Sequence, residues 1–378
     1  METLNIGLIN SDLVLPRGGQ KQLCYLAYYL KKFGHDVTIY TYEKKKPYIY
    51  DSLIENIEIK ELGVDFYKPH KVTWGEILLR YITLSKKLSQ LISKNHDIIN
   101  PHCVPSQLVM PFLKTKNAVW MCNEPMIWNY FSWKFSQILP IFWIYALDKC
   151  AVSWFTKVCM LDKKMEKIVN EHYSCDTCVV GSAVDWDVPV HHIENDFFDV
   201  FMVGAAGPQK RPIDIIKAVS ELPQNIKKRT RVILVGNTHP IEYKMEMHTI
   251  ANKNSVNLIH YDEVTTKQLR NLYAVADVSL FVPELQPWGI FPLESILAGV
   301  PVIISDQCGV TDILRNFNVP IVSTGNISDI TKALIDMLEN REKYLRCLPS
   351  IQEFLKNNYT WEKYTYRMVD IYKKVLVT

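Results

Sequence analysis

The sequence predicts an α/β protein built from two doubly wound parallel-sheet domains, and three observations carry that expectation. An apolar run at Leu4–Ile9 meets a polar loop with Gly18-Gly19, a helical repeat of Leu23, Leu26, Ala27 and Leu30, and a second apolar run at Val37–Tyr42. Strand, glycine loop, helix, strand is how a doubly wound sheet opens. The same grammar begins again at Asp196–Gly204, where a strand ends in a glycine loop before a helix over Pro212–Leu222. Between the two halves, Asp185–Asn195 is rich in Asp, Pro and His and reads as the hinge.

The elements follow in order. The first helix stops at Phe33–Asp36, whose glycine ends a helix readily. HDIINPH (His96–His102) and NAVWMC (Asn117–Cys122) read as later buried strands of the first domain. In the second half, Arg231–Gly236, Val256–Tyr261, Asp277–Pro283 and Pro301–Ser305 are strand-like runs that alternate with helical stretches. That alternation predicts parallel strands with crossover helices. An amphipathic last helix, Trp361–Val377, is expected to pack back on the first domain. The expected domains are therefore residues 1–184 with the helix 361–378, and residues 196–358.

Composition excludes several classes. The chain of 378 residues is 48% hydrophobic and 22% charged, an ordinary globular balance. A net charge of +3, with no basic run beyond Lys44–Lys46, gives no footprint for nucleic acid. The opening METLNIGLINSDLV reads as a buried strand, not a leader, and nine cysteines read as reduced cytosolic thiols. No run reaches the roughly 18 apolar residues of a membrane span. The run His172, Cys175, Cys178 has zinc-like spacing, but no second cysteine pair completes a ligand set, so no metal site is expected.

In open α/β sheets ligands bind at the carboxyl ends of strands, beside helix N-termini. The strongest such signal is FVPELQPWGIFPLESILAGVPVIIS (Phe281–Ser305). A tight loop carries Gln286, Pro287, Trp288 and Gly289, and a helix is expected from about Pro292 with Glu294 in its first turn. Backbone N–H groups of Gly289, Ile290, Phe291 and Leu293 would face a diphosphate there, and Glu294 suits the paired hydroxyls of a ribose. Taken alone, Pro292 and Glu294 are also ordinary residues for a helix start.

The segment resembles the signature of family 4 glycosyltransferases: Glu, seven residues, Glu, then a small-residue, Gly, Pro-Val strand. Gln286 and Glu294 stand at the two acidic positions, with AGVPVI in register behind them. The resemblance implies a GT-B fold of two facing Rossmann-like domains and a retaining transfer of a hexose-type sugar from a nucleotide diphosphate sugar to a hydroxyl. It also implies that Glu294 holds the ribose. Gln286 departs from the pattern, since an amide keeps the shape of a carboxylate without its charge. The enzyme works with Gln, or Glu284 substitutes, or Gln is an engineered replacement; the sequence leaves these open. A second match lies at VGAAGPQKRP (Val203–Pro212), where Gly204 and Lys210 keep the family spacing and Ala205 replaces an arginine. Lys210 would meet the departing diphosphate, and Arg211 could supply the missing guanidinium. SDQCGVTDIL (Ser305–Leu314) resembles the family's Gly-Gly-x-x-Glu turn, with Cys308 and Asp312 at the first Gly and the Glu.

In the first half, Gly18 and Gly19 could approach the donor or acceptor, or simply make a turn. By the resemblance, His102 stands where the family carries a cleft histidine, and Asn123 and Glu124 follow the next strand as acceptor contacts. Five of the nine tryptophans fall within Trp120–Phe155, a stretch that reads either as a peripheral membrane contact near a lipid-linked glycan acceptor or as a buried helix pair. No Asp-x-Asp pair presents itself as a diphosphate anchor, so no cofactor or metal is expected. Two rivals remain: a sugar-nucleotide epimerase using Glu124, His102 and Asp12, and a catalytically silent nucleotide-sugar-binding relative. The sugar, base, acceptor, linkage and oligomeric state are left open. The cytoplasmic face of a membrane is the expected setting by analogy.

Overall fold

A computed structural model describes residues 2–15, 17–65, 74–126, 138–184, 191–238 and 240–377. The chain divides into two compact units, residues 1–183 with 361–378, and residues 184–360. The last helix thus belongs to the unit that the chain left at residue 183. Most of the expected hinge, residues 185–190, lies outside the described residues.

The N-terminal unit is a seven-stranded sheet in the order β3-β2-β1-β4-β5-β6-β7. Its strands are β1 (Asn5–Leu13), β2 (Asp36–Lys44), β3 (Glu58–Glu61), β4 (Ile98–His102), β5 (Val119–Cys122), β6 (Lys157–Met160) and β7 (Thr177–Val179). All neighbours run parallel. Parallel strands are covered on both faces, and the burial follows: β1 from Ile6 to Leu13 is buried at every position. Trp120, Tyr40, Tyr42 and Val158 share one fully buried cluster. Asn100 on β4 ties the layers together: its Nδ2 donates to the Val119 carbonyl at 2.6 Å, and its Oδ1 accepts from Tyr372 on the last helix at 2.6 Å. Tyr25 on the first helix stacks on Trp361 at 4.8 Å, which seats the start of the last helix.

The C-terminal unit is a six-stranded parallel sheet in the order β10-β9-β8-β11-β12-β13. The strands are β8 (Phe198–Val203), β9 (Thr230–Val235), β10 (Asn257–Tyr261), β11 (Val278–Phe281), β12 (Val302–Ser305) and β13 (Ile321–Val322). In both sheets the order reverses beside the first strand, between β1 and β4 and between β8 and β11. Loops on the two sides of such a reversal splay apart and leave a crevice at the carboxyl ends of the strands. Those are the loops that carry the residues singled out above.

Candidate donor site at the strand reversal

At the reversal in the C-terminal unit, the loop after β8 and the loop after β11 meet. Gly204 leaves β8 with φ +140°, a region that only glycine enters without strain. A 3-10 turn, Pro208–Lys210, then delivers Lys210, whose backbone N–H donates to the Gly207 carbonyl at 2.9 Å. The neighbouring loop is held by a backbone bond, Glu284 N–H to the Gln209 carbonyl, at 2.9 Å. These bonds bring Lys210 Nζ onto Gln286 Oε1, with the ammonium 5.5 Å from the centre of the Phe281 ring. An amide oxygen accepts this bond without cancelling the lysine's charge, as a carboxylate would. Gln286 itself therefore adds no negative charge beside the ammonium.

Arg211 does not join Lys210 at Gln286. It is in the left-handed conformation, its Nε donates to Asp214 at 2.6 Å, and its Nη1 donates to Glu284 at 3.2 Å. Glu284 is thus paired with Arg211. Gln286 is fixed by its backbone, which accepts from Gly309 N–H at 2.8 Å and donates to the Gln307 carbonyl at 3.0 Å.

The helix after this loop starts earlier than the sequence suggests. It spans Ile290–Leu297, capped by Gly289 at φ +106°, which places Glu294 one turn in and not in the first turn. The signal was Pro292, a favoured early-helix residue, but here it is the third helical position. Helix geometry leaves the amides of Gly289, Ile290 and Phe291 outside the i to i−4 ladder. Pro292 has no N–H, and the Leu293 amide falls within the ladder, with its side chain fully buried. A Cβ on Gly289 would lie 2.7 Å from Cys308 Sγ and 3.1 Å from Phe281, so the close approach requires glycine. Cys308 in turn donates to the Trp288 carbonyl at 3.0 Å. Glu294 is half-buried, and Tyr273 donates its hydroxyl to Oε2 at 3.3 Å. Tyr273 was missed in the sequence, where it is one more aromatic on an amphipathic helix. Only the fold brings it under Glu294.

The N-terminal unit gathers a second set. Gly19 is the second residue of the first helix, and a Cβ there would stand 2.4 Å from Cys103 Sγ and 2.9 Å from Asn123 Nδ2. Gly18 is the first residue of that helix. Asn123 Nδ2 donates to Cys103 Sγ at 3.2 Å, while Glu124 is exposed. Loops after β1, β4 and β5 therefore converge on Gly19, and burial pushes the Cys103 thiol up to about 12. Asp12 is fully buried and accepts from Gln20 Nε2 at 3.1 Å and Val14 N–H at 3.2 Å.

His102 is fully buried in the chain. Its Nε2 meets Asn100 Oδ1 at 3.0 Å; that oxygen only accepts, so Nε2 carries the proton. Among the described residues Nδ1 has no hydrogen-bond partner. Burial alone lowers the group to about 3. Between the unfolded value near 6.5 and about 3, the unfolded chain takes up a proton here and the native one does not. Stability is then lost as pH falls through that window, at about 1.4 kcal/mol per pH unit. Urea midpoints at several pH values should fall less steeply in His102→Asn than in the native chain. Parallel slopes would show that another group sets the acid sensitivity.

The zinc-like run does not assemble. His172 Nδ1 bonds the Ile168 carbonyl at 2.8 Å, and Cys178 Sγ faces Cys159 Sγ at 3.6 Å. Among the described residues no cluster of three or more His, Cys, Asp or Glu side chains is placed to hold a metal ion. Asp185-Trp186-Asp187 does have Asp-x-Asp spacing, a pair the sequence reading passed over in the hinge; it lies outside the described residues. So do Trp128 and Trp133 of the aromatic stretch. Trp143, on the helix Ile138–Val152, is 63% exposed. No described helix is long and apolar enough to cross a membrane.

The pattern of the family described as Glycosyl transferases group 1 matches residues 187–353, nearly all of the C-terminal unit. This unit belongs to the group 1 glycosyltransferases. Over the whole chain, an uncharacterized glycosyltransferase, MJ1607 of Methanocaldococcus jannaschii, is 21% identical, with 92% of each chain covered. The fold is GT-B, shared with solved structures of low identity. Anabaena Alr3699/HepE in complex with UDP and glucose has a TM-score of 0.75 at 14% identity, covering 98% of this chain and 100% of that one. Sucrose-phosphate synthase from Thermosynechococcus elongatus has a TM-score of 0.81 at 13% identity, covering 99% of both. WaaG, a glycosyltransferase involved in lipopolysaccharide biosynthesis, has a TM-score of 0.75 at 16% identity, covering 97% of this chain and 99% of that one. The group 1 unit is the one that carries Lys210, Gln286 and Glu294.

Proposed function

We propose that the protein is a retaining glycosyltransferase that moves a hexose-type sugar from a nucleotide diphosphate sugar to a hydroxyl of a glycan or lipid-linked glycan. The observation that carries this is the seat of Lys210 against Gln286 at the strand reversal of the group 1 unit. In this reading Glu294 holds the ribose, and Gly204, Lys210, Arg211 and the Gly289–Phe291 amides hold the diphosphate. Gln286 faces the donor sugar. Lys210 stabilises the charge that gathers on the diphosphate as the anomeric bond breaks, so no metal is needed for that task. Gly18, Gly19, Asn123 and Glu124 offer the acceptor side, and His102 acts from behind them as a positioning residue. The named solved structure with UDP and glucose supports a nucleotide-sugar donor.

The deciding experiment is nucleotide release from UDP-, GDP- and ADP-sugars, with and without EDTA, by the native chain, Lys210→Ala and Glu294→Ala. Release from one donor, unaffected by EDTA and lost in Lys210→Ala, is expected. Interconversion of the sugar with no acceptor present would favour the epimerase. Tight binding without turnover, restored by Gln286→Glu, would mark a silent relative. Loss of all nucleotide binding in the native chain would sink the proposal.

Glu294→Ala should weaken nucleotide binding about ten- to a hundredfold, the worth of charge-assisted bonds to two hydroxyls. The corresponding 2′,3′-dideoxynucleotide should bind the two proteins alike; a loss of the same size with that ligand would place Glu294 elsewhere.

We further propose that the Trp143 surface rests on a membrane at the cytoplasmic face, beside a lipid-linked acceptor. Co-sedimentation with vesicles of neutral and anionic phospholipid should be reduced severalfold by Trp143→Ser. No sedimentation of the native chain with either vesicle would refute it.

A further inference from the structure

The edge strand β10 carries a histidine pair to which the donor reading assigns no task. His260, whose side chain is 1% exposed, places Nε2 at 2.9 Å from the Gly236 carbonyl. A carbonyl only accepts, so Nε2 bears the proton and Nδ1 is an acceptor. His248 Nε2 stands 3.3 Å from that Nδ1, and the two rings stack at 5.5 Å. The second histidine thereby fixes the tautomer of the first. Thr238 Oγ1 at 3.5 Å and Asp262 Oδ1 at 3.7 Å also face His260 Nε2, and Lys244 holds the Asp262 carboxylate at 2.5 and 2.6 Å.

The peptide that His260 grips is a junction. Gly236 N–H donates to the Tyr261 carbonyl at 2.8 Å, so β10 holds both polar groups of this residue. Gly236 lies directly on the loop after β8, since a Cβ on it would be 2.1 Å from the Gly204 oxygen. Asn237 continues the contact, its carbonyl accepting from Ala206 N–H at 3.1 Å. From there the turn runs through Gly207, whose carbonyl accepts from the Lys210 amide at 2.9 Å.

We propose that His260, with its tautomer fixed by His248, is a positioning residue for the diphosphate of the donor. It anchors Gly236, Gly236 and Asn237 set the Gly204–Gly207 turn, and that turn sets the reach of Lys210. The proposal rests on reading 204–211 as the diphosphate loop.

The test compares affinities for a nucleoside diphosphate and its monophosphate by calorimetry, for the native chain, His260→Ala, His260→Gln and Lys210→Ala. UDP/UMP, GDP/GMP and ADP/AMP are run, and the pair that binds tightest is read. His260→Ala should lower the diphosphate-to-monophosphate preference about tenfold, while monophosphate affinity stays within about twofold. His260→Gln keeps an N–H that reaches the Gly236 carbonyl and should restore the preference to within about threefold of the native value. An unchanged preference in His260→Ala, or a loss in Gln as large as in Ala, would overturn the positioning role. If the native chain shows no preference and Lys210→Ala changes nothing, the diphosphate reading itself fails and takes this proposal with it.

Discussion

Replacing Lys210 by alanine is expected to lower kcat/KM for the nucleotide-sugar donor by about a hundred- to a thousandfold, the usual loss when one charge stabiliser of a transition state is removed. The ammonium sits on the Gln286 oxygen and over the Phe281 ring, at the end of a 3-10 turn whose backbone bonds fix its direction. The loss should appear mostly in kcat, because negative charge on the leaving diphosphate is greatest as the anomeric bond breaks. The fold should barely respond, since Lys210 is only half-buried and a substitution at such a site usually changes stability by less than about 0.5 kcal/mol. Lys210→Arg should recover part of the rate: the charge remains, but a planar fork replaces a compact point charge. Initial rates of nucleotide release, with a thermal melt of each variant, check both halves. A rate within threefold of the native one, in a protein that melts normally, would remove Lys210 from the chemistry.

Much of this site was legible in the sequence because glycines report backbone needs directly. Gly204 and Gly289 sit at φ values that other residues avoid, and the apolar runs beside them could only be buried strands. The spacing of Gly204 to Lys210 and of Gln286 to Glu294 therefore survived as geometry. Short, weakly patterned strands did not announce themselves. β3, with sequence EIKE, alternates like an exposed edge, and β13 is two residues long. β6 and β7 follow the aromatic stretch, where no periodicity marks them off. Contacts between loops distant in sequence were also illegible. Nothing in the string ties Tyr273 to Glu294, His260 to Gly236, or Arg211 to Glu284. His102, the last residue of β4, was expected in a cleft; it is fully buried, with its ring held by Asn100 two positions earlier, and no pattern in the string shows that bond.

Gly236→Ala should destabilise the C-terminal unit far more than Gly204→Ala, although the two glycines share φ +140°. Each alanine meets the same backbone penalty, about 1–3 kcal/mol for a region that only glycine enters freely. The two sites differ in space. A Cβ on Gly204 finds nothing within 4 Å, whereas one on Gly236 would overlap the Gly204 carbonyl at 2.1 Å. That oxygen belongs to backbone and has no rotamer to escape into, so the β8 and β9 loops must separate. The total should reach about 4 kcal/mol or more, within the exceptional class of single substitutions. For a unit of this size that is a fall in melting temperature of about 8–16 °C, against about 2–12 °C for Gly204→Ala. The separation also pulls Asn237 from the Ala206 amide and loosens the turn that carries Lys210. Gly236→Ala should therefore lose donor turnover even well below its melting point, while Gly204→Ala keeps the spacing between the loops. Equal melting temperatures for the two variants would mean that the loops do not rest on one another, and the route from β10 to Lys210 would be broken at its middle link.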